Sequence, residues 1–213
     1  MKKIVLLGDS IRLGYEKYVA EALSGVAEVY SPKENCRYAL NLLRFAHEWA
    51  KDWPREEIEL VHWNAGLWDA LHLLGDEALM PLDAYERIIP RIHARLRSLF
   101  PKAKLVFATS TSVDMARQRA GFGRDNAEIM DYNAAAVAAL SGLDSAINDL
   151  YAVSIALPPE AHSDPTHYNT KLGCKGLGDA VLAVACPHLG IDRADLSPIS
   201  GELPDIPESI LGF

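Results

Sequence analysis

Long apolar runs are missing from this 213-residue sequence, and cysteines are few. No run approaches the roughly 20 apolar residues that a bilayer-spanning helix needs, so we predict no membrane span. The N-terminal stretch MKKIVLLGDS has four apolar residues before Gly8, whereas a secretory signal needs about 7 to 15. Cys36, Cys174 and Cys186 form neither an even disulfide set nor a CxxC pair. These absences predict a cytoplasmic protein with free thiols.

Basic residues are outnumbered, with 21 Lys and Arg against 29 Asp and Glu and a formal net charge of −8. This balance disfavours nonspecific attraction to nucleic acid or to anionic lipid. The loop after the first apolar run also lacks the phosphate-binding patterns GxGxxG and GxxxxGK[ST] and the GxSxG nucleophile pattern. We therefore predict a small-molecule substrate and neither a nucleic-acid nor a membrane partner.

A regular alternation of strand and helix patterns is what the sequence does have. Apolar runs predict five strands, at Ile4 to Leu7, Ala27 to Tyr30, Ile58 to Trp63, Leu105 to Ala108 and Tyr151 to Leu157. Helical spacing separates them, and a last helix is predicted from about Leu172 to Ala185. Such alternation favours a three-layer α/β/α domain with a five-stranded parallel sheet, here over residues 1–195. Residues 196–213 are predicted to form a tail packed on this domain.

The loops that follow strands have the best prospects of function, because ligands of open α/β sheets bind beyond the carboxyl ends of the strands. Five such stretches are GDSI, SPKENCRYALN, NAGLWD, TSTSVDMARQRAGFGRDN and, after the predicted fifth strand, HSDPTHYN. We predict that they converge on one crevice. The fourth contains Arg117, Arg119 and Arg124, which favours contact with a sugar or an anionic substrate.

Ser10 follows the first predicted strand and precedes a helical pattern. Ser and Asp are common helix N-caps, so a capping role is one interpretation. The other is a nucleophile, which would need a base, an acid that orients this base, and oxyanion donors.

Asp164 and His167, in DPTH, are candidates for the acid and the base. Three residues apart in a turn, the carboxylate can hold the imidazole so that its other nitrogen accepts the serine proton. The alternatives are a helix cap with a surface histidine, or a metal site that adds His162, although the spacing matches no standard zinc signature.

Asn64 opens the NAGLWD stretch after the third predicted strand. Its amide can donate to a developing oxyanion, while an asparagine after a strand is also a common turn former. Trp68 is a candidate wall of an acyl pocket or a packing residue, and Asp9 and Cys36 are further candidates for substrate contact.

Together, GDS, HWNAGLWD and the C-terminal DPTHYN resemble three of the four sequence blocks of the SGNH hydrolases, also called GDSL-type esterases. The resemblance spans nearly the whole chain and implies a flavodoxin-like fold. It implies Ser10 as nucleophile, Asp164 and His167 as the other triad members, and Asn64 with the Ser10 N–H in the oxyanion hole. It implies no cofactor.

The second block departs from the family pattern, which commonly has a glycine whose N–H binds the oxyanion. Here ENCRYALN has no glycine, and Arg37, or less plausibly Cys36, takes its position. A backbone N–H survives the substitution if the loop conformation does not require glycine. Cys36 as an alternative nucleophile lacks an identifiable base.

The expected activity is hydrolysis of an oxygen ester of a small molecule or a carbohydrate. We expect the acyl group to be short, and acetyl is favoured. Two alternatives remain: a binding domain that kept the scaffold but lost turnover at the changed second block, and an acyltransferase that uses the same serine.

Overall fold

The structure, a computed structural model, describes residues 1–207. Its strands are β1 Lys2–Leu7, β2 Ala27–Tyr30, β3 Leu60–Trp63, β4 His72–Leu73, β5 Lys104–Ala108, β6 Phe122–Gly123 and β7 Ser145–Asn148. Its α-helices are α1 Ser10–Ala22, α2 Ala39–Trp49, α3 Leu82–Leu99, α4 Asn126–Leu140, α5 Leu150–Ala156 and α6 Lys171–Leu189.

Five parallel strands form the central sheet in the order β2-β1-β3-β5-β7. Every residue of β3 is buried, because helices cover both faces of the sheet. Helix α1 packs against α6 on one face, and α3 packs against α2 and α4 on the other. The predicted three-layer α/β/α fold with a five-stranded parallel sheet is confirmed. The strand order reverses between β1 and β3, so the loops after these two strands border the crevice where such sheets bind ligands.

Helix α3 illustrates how the sequence builds these layers. Its apolar residues recur every three or four positions, so one face of the helix is apolar along its whole length. Tyr85, Ile89, Ile92 and Leu96 on that face are completely buried. Burial of each such side chain stabilises the fold by about 1.5–3 kcal/mol relative to exposure.

The predicted position of the fifth strand was wrong. Most of the stretch from Tyr151 to Leu157 lies in helix α5, and the fifth strand is β7, a few residues earlier. Asp149 accounts for the helix, because its carboxylate accepts the N–H of Ala152 at 3.1 Å and caps the first turn. Among residues 1–207, strand β7 pairs with β5 alone, at the edge of the sheet, so its SAIN sequence is half-exposed and shows no apolar run.

The described part of the predicted C-terminal tail runs along helix α1. The N–H of Ser197 donates to the carbonyl of Ala22 at 2.9 Å, and the N–H and hydroxyl of Ser200 donate to the Glu21 carboxylate. Residues 208–213 of that tail lie outside the described residues. Within residues 1–207, no helix combines the length and the apolar character that crossing a membrane requires.

His62 gives the fold a specific acid sensitivity. Its ring lies fully buried in β3, with Nδ1 3.4 Å from the Tyr15 hydroxyl and Nε2 3.1 Å from the Asn148 amide. Burial lowers the pKa of His62 to about 4, whereas the unfolded chain protonates it near the usual 6.5. The unfolded state therefore takes up this proton first, and stability is lost as the pH falls from about 6.5 to about 4.

We therefore expect the free energy of unfolding of the wild type to fall by roughly 2–3 kcal/mol more than that of His62→Gln between pH 7 and pH 4.5. Urea unfolding at both pH values measures this, and other titrating groups cancel because they are common to both proteins. Equal losses in the two proteins would show that another group governs the acid sensitivity.

Candidate active site

Ser10 is the first residue of α1, immediately after β1, and only 2% of it is exposed. The helix cap is Asp9, whose carboxylate accepts the Ile11 N–H at 3.0 Å. The capping interpretation of Ser10 is therefore wrong, and the Ser10 hydroxyl is available for another partner. As a first-turn residue, Ser10 also has a main-chain N–H with no acceptor one turn earlier in the helix.

The hydroxyl of Ser10 meets the imidazole of His167. Ser10 Oγ lies 2.8 Å from His167 Nε2, and His167 Nδ1 lies 2.8 and 3.0 Å from the two carboxylate oxygens of Asp164. Asp164 also accepts the main-chain N–H groups of Thr166 and His167 at 2.8 and 2.9 Å, which fixes the DPTH turn. Residues far apart in the sequence thus form one hydrogen-bonded chain, in the order that a serine nucleophile requires.

The charge of Asp164 is well suited to this arrangement. Burial alone would raise its pKa, but the hydrogen bond and the charge of His167, with the two N–H groups of the turn, outweigh burial and lower the pKa to about 2. The carboxylate therefore stays ionised at neutral pH. An ionised Asp164 holds the Nδ1 proton of His167 and leaves Nε2 to accept a proton from Ser10.

Asn64 follows β3 and lies beside the turn after β1. Its N–H donates to the Leu7 carbonyl at 3.0 Å, and its Oδ1 atom is sealed from solvent without a hydrogen-bond partner. A Cβ atom on Gly8 would stand 1.9 Å from Asn64 Oδ1, so only glycine fits at this close approach. The Asn64 side chain lies close enough to the Asp9 carboxylate to lower the Asp9 pKa, against the larger effect of burial.

The loop of the second block has, at Arg37, a backbone conformation that is rare for residues other than glycine. Arg37 has φ 55°, in the left-handed region that favours glycine, and its N–H donates to Asn35 Oδ1 at 2.8 Å. The neighbouring Cys36 N–H donates to the Gly8 carbonyl at 3.0 Å. Neither N–H is free in this structure, so of the donors that the family pattern implies, the Ser10 N–H and the Asn64 amide remain the candidates.

Two of the three candidates for substrate contact lie behind the site. Asp9 and Cys36 have no exposed surface, so they support the loops from the inside. Burial raises the pKa of Asp9, although the hydrogen bonds from the Ile11 N–H and the Asn64 amide act to lower it. Burial also raises the pKa of Cys36, to about 11. A protonated, enclosed thiol does not act as a nucleophile. Trp68 is half-buried in the loop that follows Asn64.

Asp69 is a supporting residue that the sequence analysis missed. Its two carboxylate oxygens accept the Ala39 N–H at 3.0 and 3.1 Å, at the start of helix α2. Burial raises the pKa of Asp69 to about 7, despite the opposing effect of that N–H. The contact ties the loop after β3 to the segment next to Arg37. The only sequence signal was its place at the end of NAGLWD.

The metal interpretation finds little geometric support. The ring of His162 packs at a tilt against that of Tyr168, with centroids 4.1 Å apart, while His167 is held between Ser10 and Asp164. Residues 1–207 contain no group of three or more His, Cys, Asp or Glu side chains arranged for a metal ion.

Solved structures with the same architecture include a lipase/acylhydrolase from Enterococcus faecalis, at 19% identity and a TM-score of 0.68 over 93% of this chain and 98% of that one. A catalytic mutant of an acetylxylan esterase from Geobacillus stearothermophilus matches at 17% identity and 0.67, over 90% and 95%. A carbohydrate esterase family 3 protein from Talaromyces cellulolyticus matches at 15% and 0.66, over 89% and 99%. No protein-family model and no curated protein sequence matches. At these identities the likeness establishes the fold, and the fold implied by the resemblance to SGNH hydrolases is confirmed.

Proposed function

We propose that the protein is a serine esterase that hydrolyses an oxygen ester with a short acyl group, acetyl above all, on a small molecule or a carbohydrate. The observation that carries this proposal is the hydrogen-bonded chain from Ser10 Oγ through His167 to Asp164, with both links at 2.8 Å. Its position at the β1–β3 crevice, and similar structures described as acetyl xylan esterases and a carbohydrate esterase, support it.

In the first half of the reaction, the Ser10 hydroxyl attacks the ester carbonyl while His167 Nε2 accepts its proton. The Ser10 N–H and the Asn64 NH₂ group donate to the oxyanion that develops. The intermediate then collapses, the imidazolium gives its proton to the leaving alkoxide, and the acyl group stays on Ser10. In the second half, water attacks the acyl carbon while His167 takes a proton from it; the bond between the acyl group and Ser10 Oγ then breaks, the carboxylic acid leaves, and His167 returns the proton to Ser10.

Turnover of p-nitrophenyl acetate and labelling by a fluorophosphonate test this proposal. We expect hydrolysis, a higher kcat/KM for the acetate than for the octanoate ester, and a label on the peptide that contains Ser10. A label elsewhere, or none, would refute the assignment of the nucleophile. Preferential transfer of the acetyl group to an added alcohol would make the protein an acyltransferase.

One observation favours the second candidate, a binding domain with weakened turnover. The Arg37 N–H, which would serve as a third oxyanion donor by the family pattern, is paired with Asn35. A hole with two donors stabilises the oxyanion less than a hole with three. Slow hydrolysis together with tight binding of an acetylated sugar would identify this alternative.

The side chain of Arg37 should contribute little to the chemical step, because it is exposed. We expect Arg37→Ala and Arg37→Gly to keep kcat for a neutral acetyl ester within about threefold of the wild type, since neither change removes a group that the proposed mechanism uses. The glycine variant tolerates the positive φ without strain, which serves as the matched control. A collapse of kcat in both variants would show that the guanidinium itself sustains the site.

A further inference from the structure

A pocket of about 460 Å³ lies against the turn that carries Asp164. One side consists of the segment between β5 and α4, with Gln118, Arg119, Phe122 and Arg124. The other side consists of the DPTH turn itself, with Asp164 and Thr166. Its charged lining residues are two arginines and one aspartate.

Arg124 is the unusual member of this lining, because only 7% of it is exposed and it makes no ion pair within the described residues. Its Nε donates to the carbonyl of Leu67, three residues after Asn64, and its Nη1 lies 3.4 Å from Thr166 Oγ1. The guanidinium therefore bridges the loop of the proposed oxyanion donor and the turn of the proposed base. Within residues 1–207, its Nη2 has no hydrogen-bond partner, and this atom is not sealed from solvent.

The position of Arg124 is fixed by its own main chain. The side-chain amide of Gln118 donates to the Arg124 carbonyl and accepts the Arg124 N–H, both at 2.6 Å. Burial lowers the pKa of Arg124 to about 10, and Asp9 and Asp164 oppose this shift, so the side chain stays charged at neutral pH. A buried cation held rigidly, with one NH₂ group unpaired, is a preorganised donor for an anion.

We infer that this pocket binds a carboxylate on the alcohol portion of the substrate, with Arg124 Nη2 as the specificity-determining donor. The inference rests on the proposed function. The alcohol portion is assigned because His167 must give its proton to the leaving oxygen, which places the leaving group over the turn that lines the pocket. A singly charged carboxylate fits better than a phosphate dianion, because the Asp164 carboxylate borders the same pocket.

The kinetic test compares 4-acetoxybenzoate with 4-acetoxybenzamide, which share the acyl group and differ in the charge of the leaving portion. We expect the wild type to favour the benzoate in kcat/KM, and Arg124→Gln to reduce the benzoate-to-benzamide ratio by about tenfold or more, mainly through KM for the benzoate. A loss of the bridge between the two loops affects both esters equally and cancels in the ratio. An unchanged ratio overturns the inference.

Arg117→Ala is the matched control, because Arg117 belongs to the same loop, is exposed, pairs with Asp114 and does not line the pocket. This variant should keep both the activity and the ratio of the wild type. If Arg117→Ala lowers the ratio as much as Arg124→Gln does, the preference comes from the general charge of the loop, and the assignment of Arg124 fails.

Calorimetry with the reaction products separates this inference from the proposed reaction, and its first comparison uses the wild type alone. The wild type should bind 4-hydroxybenzoate about tenfold or more tightly than 4-hydroxybenzamide, and equal affinities overturn the inference. A third outcome is that neither ester is hydrolysed, but the wild type binds the benzoate more tightly than the benzamide and Arg124→Gln does not. The anion site is then supported and the proposed function fails. Hydrolysis of both esters without preference in either assay refutes the anion site alone.

Discussion

Ser10→Ala is expected to lower ester turnover by roughly 10⁴- to 10⁶-fold and to abolish fluorophosphonate labelling, because it removes the hydroxyl that lies 2.8 Å from His167 Nε2. The change removes one oxygen atom from a residue that makes a single side-chain hydrogen bond, so unfolding should remain cooperative. His167→Ala should lose a comparable amount. Kinetics with p-nitrophenyl acetate and thermal unfolding of the same preparations measure both quantities.

The double variant and a control serine make this result decisive. Members of one triad act as a unit, so the double variant should be no slower than the slower single variant. A much slower double variant would mean that Ser10 and His167 serve different steps. Ser98→Ala is the matched control, because Ser98 is exposed near the end of α3. This residue lies near the start of β5, at the opposite end of the parallel strands from the site. Its activity should equal that of the wild type.

The parts of the fold that the sequence predicted well are those where local pattern and burial agree. Strands β1 and β3 are buried in the centre of the sheet, so their residues form continuous apolar runs. Strand β7 could not be found in this way, because an edge strand needs few apolar residues. Most of the apolar residues that follow it lie in α5 instead, which the cap at Asp149 begins.

For the candidate site too, the sequence indicated the residues that lie in local motifs and not the contacts that depend on distant parts of the chain. Ser10, Asn64, Asp164 and His167 lie in short motifs at the ends of elements, so the sequence was sufficient to select them. The pairing of the Arg37 N–H with Asn35 could not be predicted, because a positive φ at a residue other than glycine leaves no local signal. The burial of Arg124 depends on contacts with Leu67 and Thr166, which lie 57 and 42 residues away in the chain.

The pairing of Arg37 increases the expected importance of Asn64. In the proposed mechanism two donors, the Ser10 N–H and the Asn64 NH₂ group, serve the oxyanion, so removal of one removes half of the hydrogen bonds that the intermediate receives. We expect Asn64→Ala to lower kcat by roughly 10²- to 10³-fold with little change in KM, the pattern of a donor used mainly in the transition state. Steady-state kinetics with p-nitrophenyl acetate measure this split.

Asn64→Asp is the companion variant, because it keeps the shape of the side chain and replaces the NH₂ donor by an oxygen. Near the buried Asp9, whose pKa is already raised, the new carboxylate also adds negative charge where the oxyanion forms. Its kcat should therefore be at least as low as that of Asn64→Ala. A rise in KM with kcat unchanged in both variants would instead make Asn64 a residue that binds the ground state, and the oxyanion would then depend on the Ser10 N–H and on release of the Arg37 N–H from Asn35.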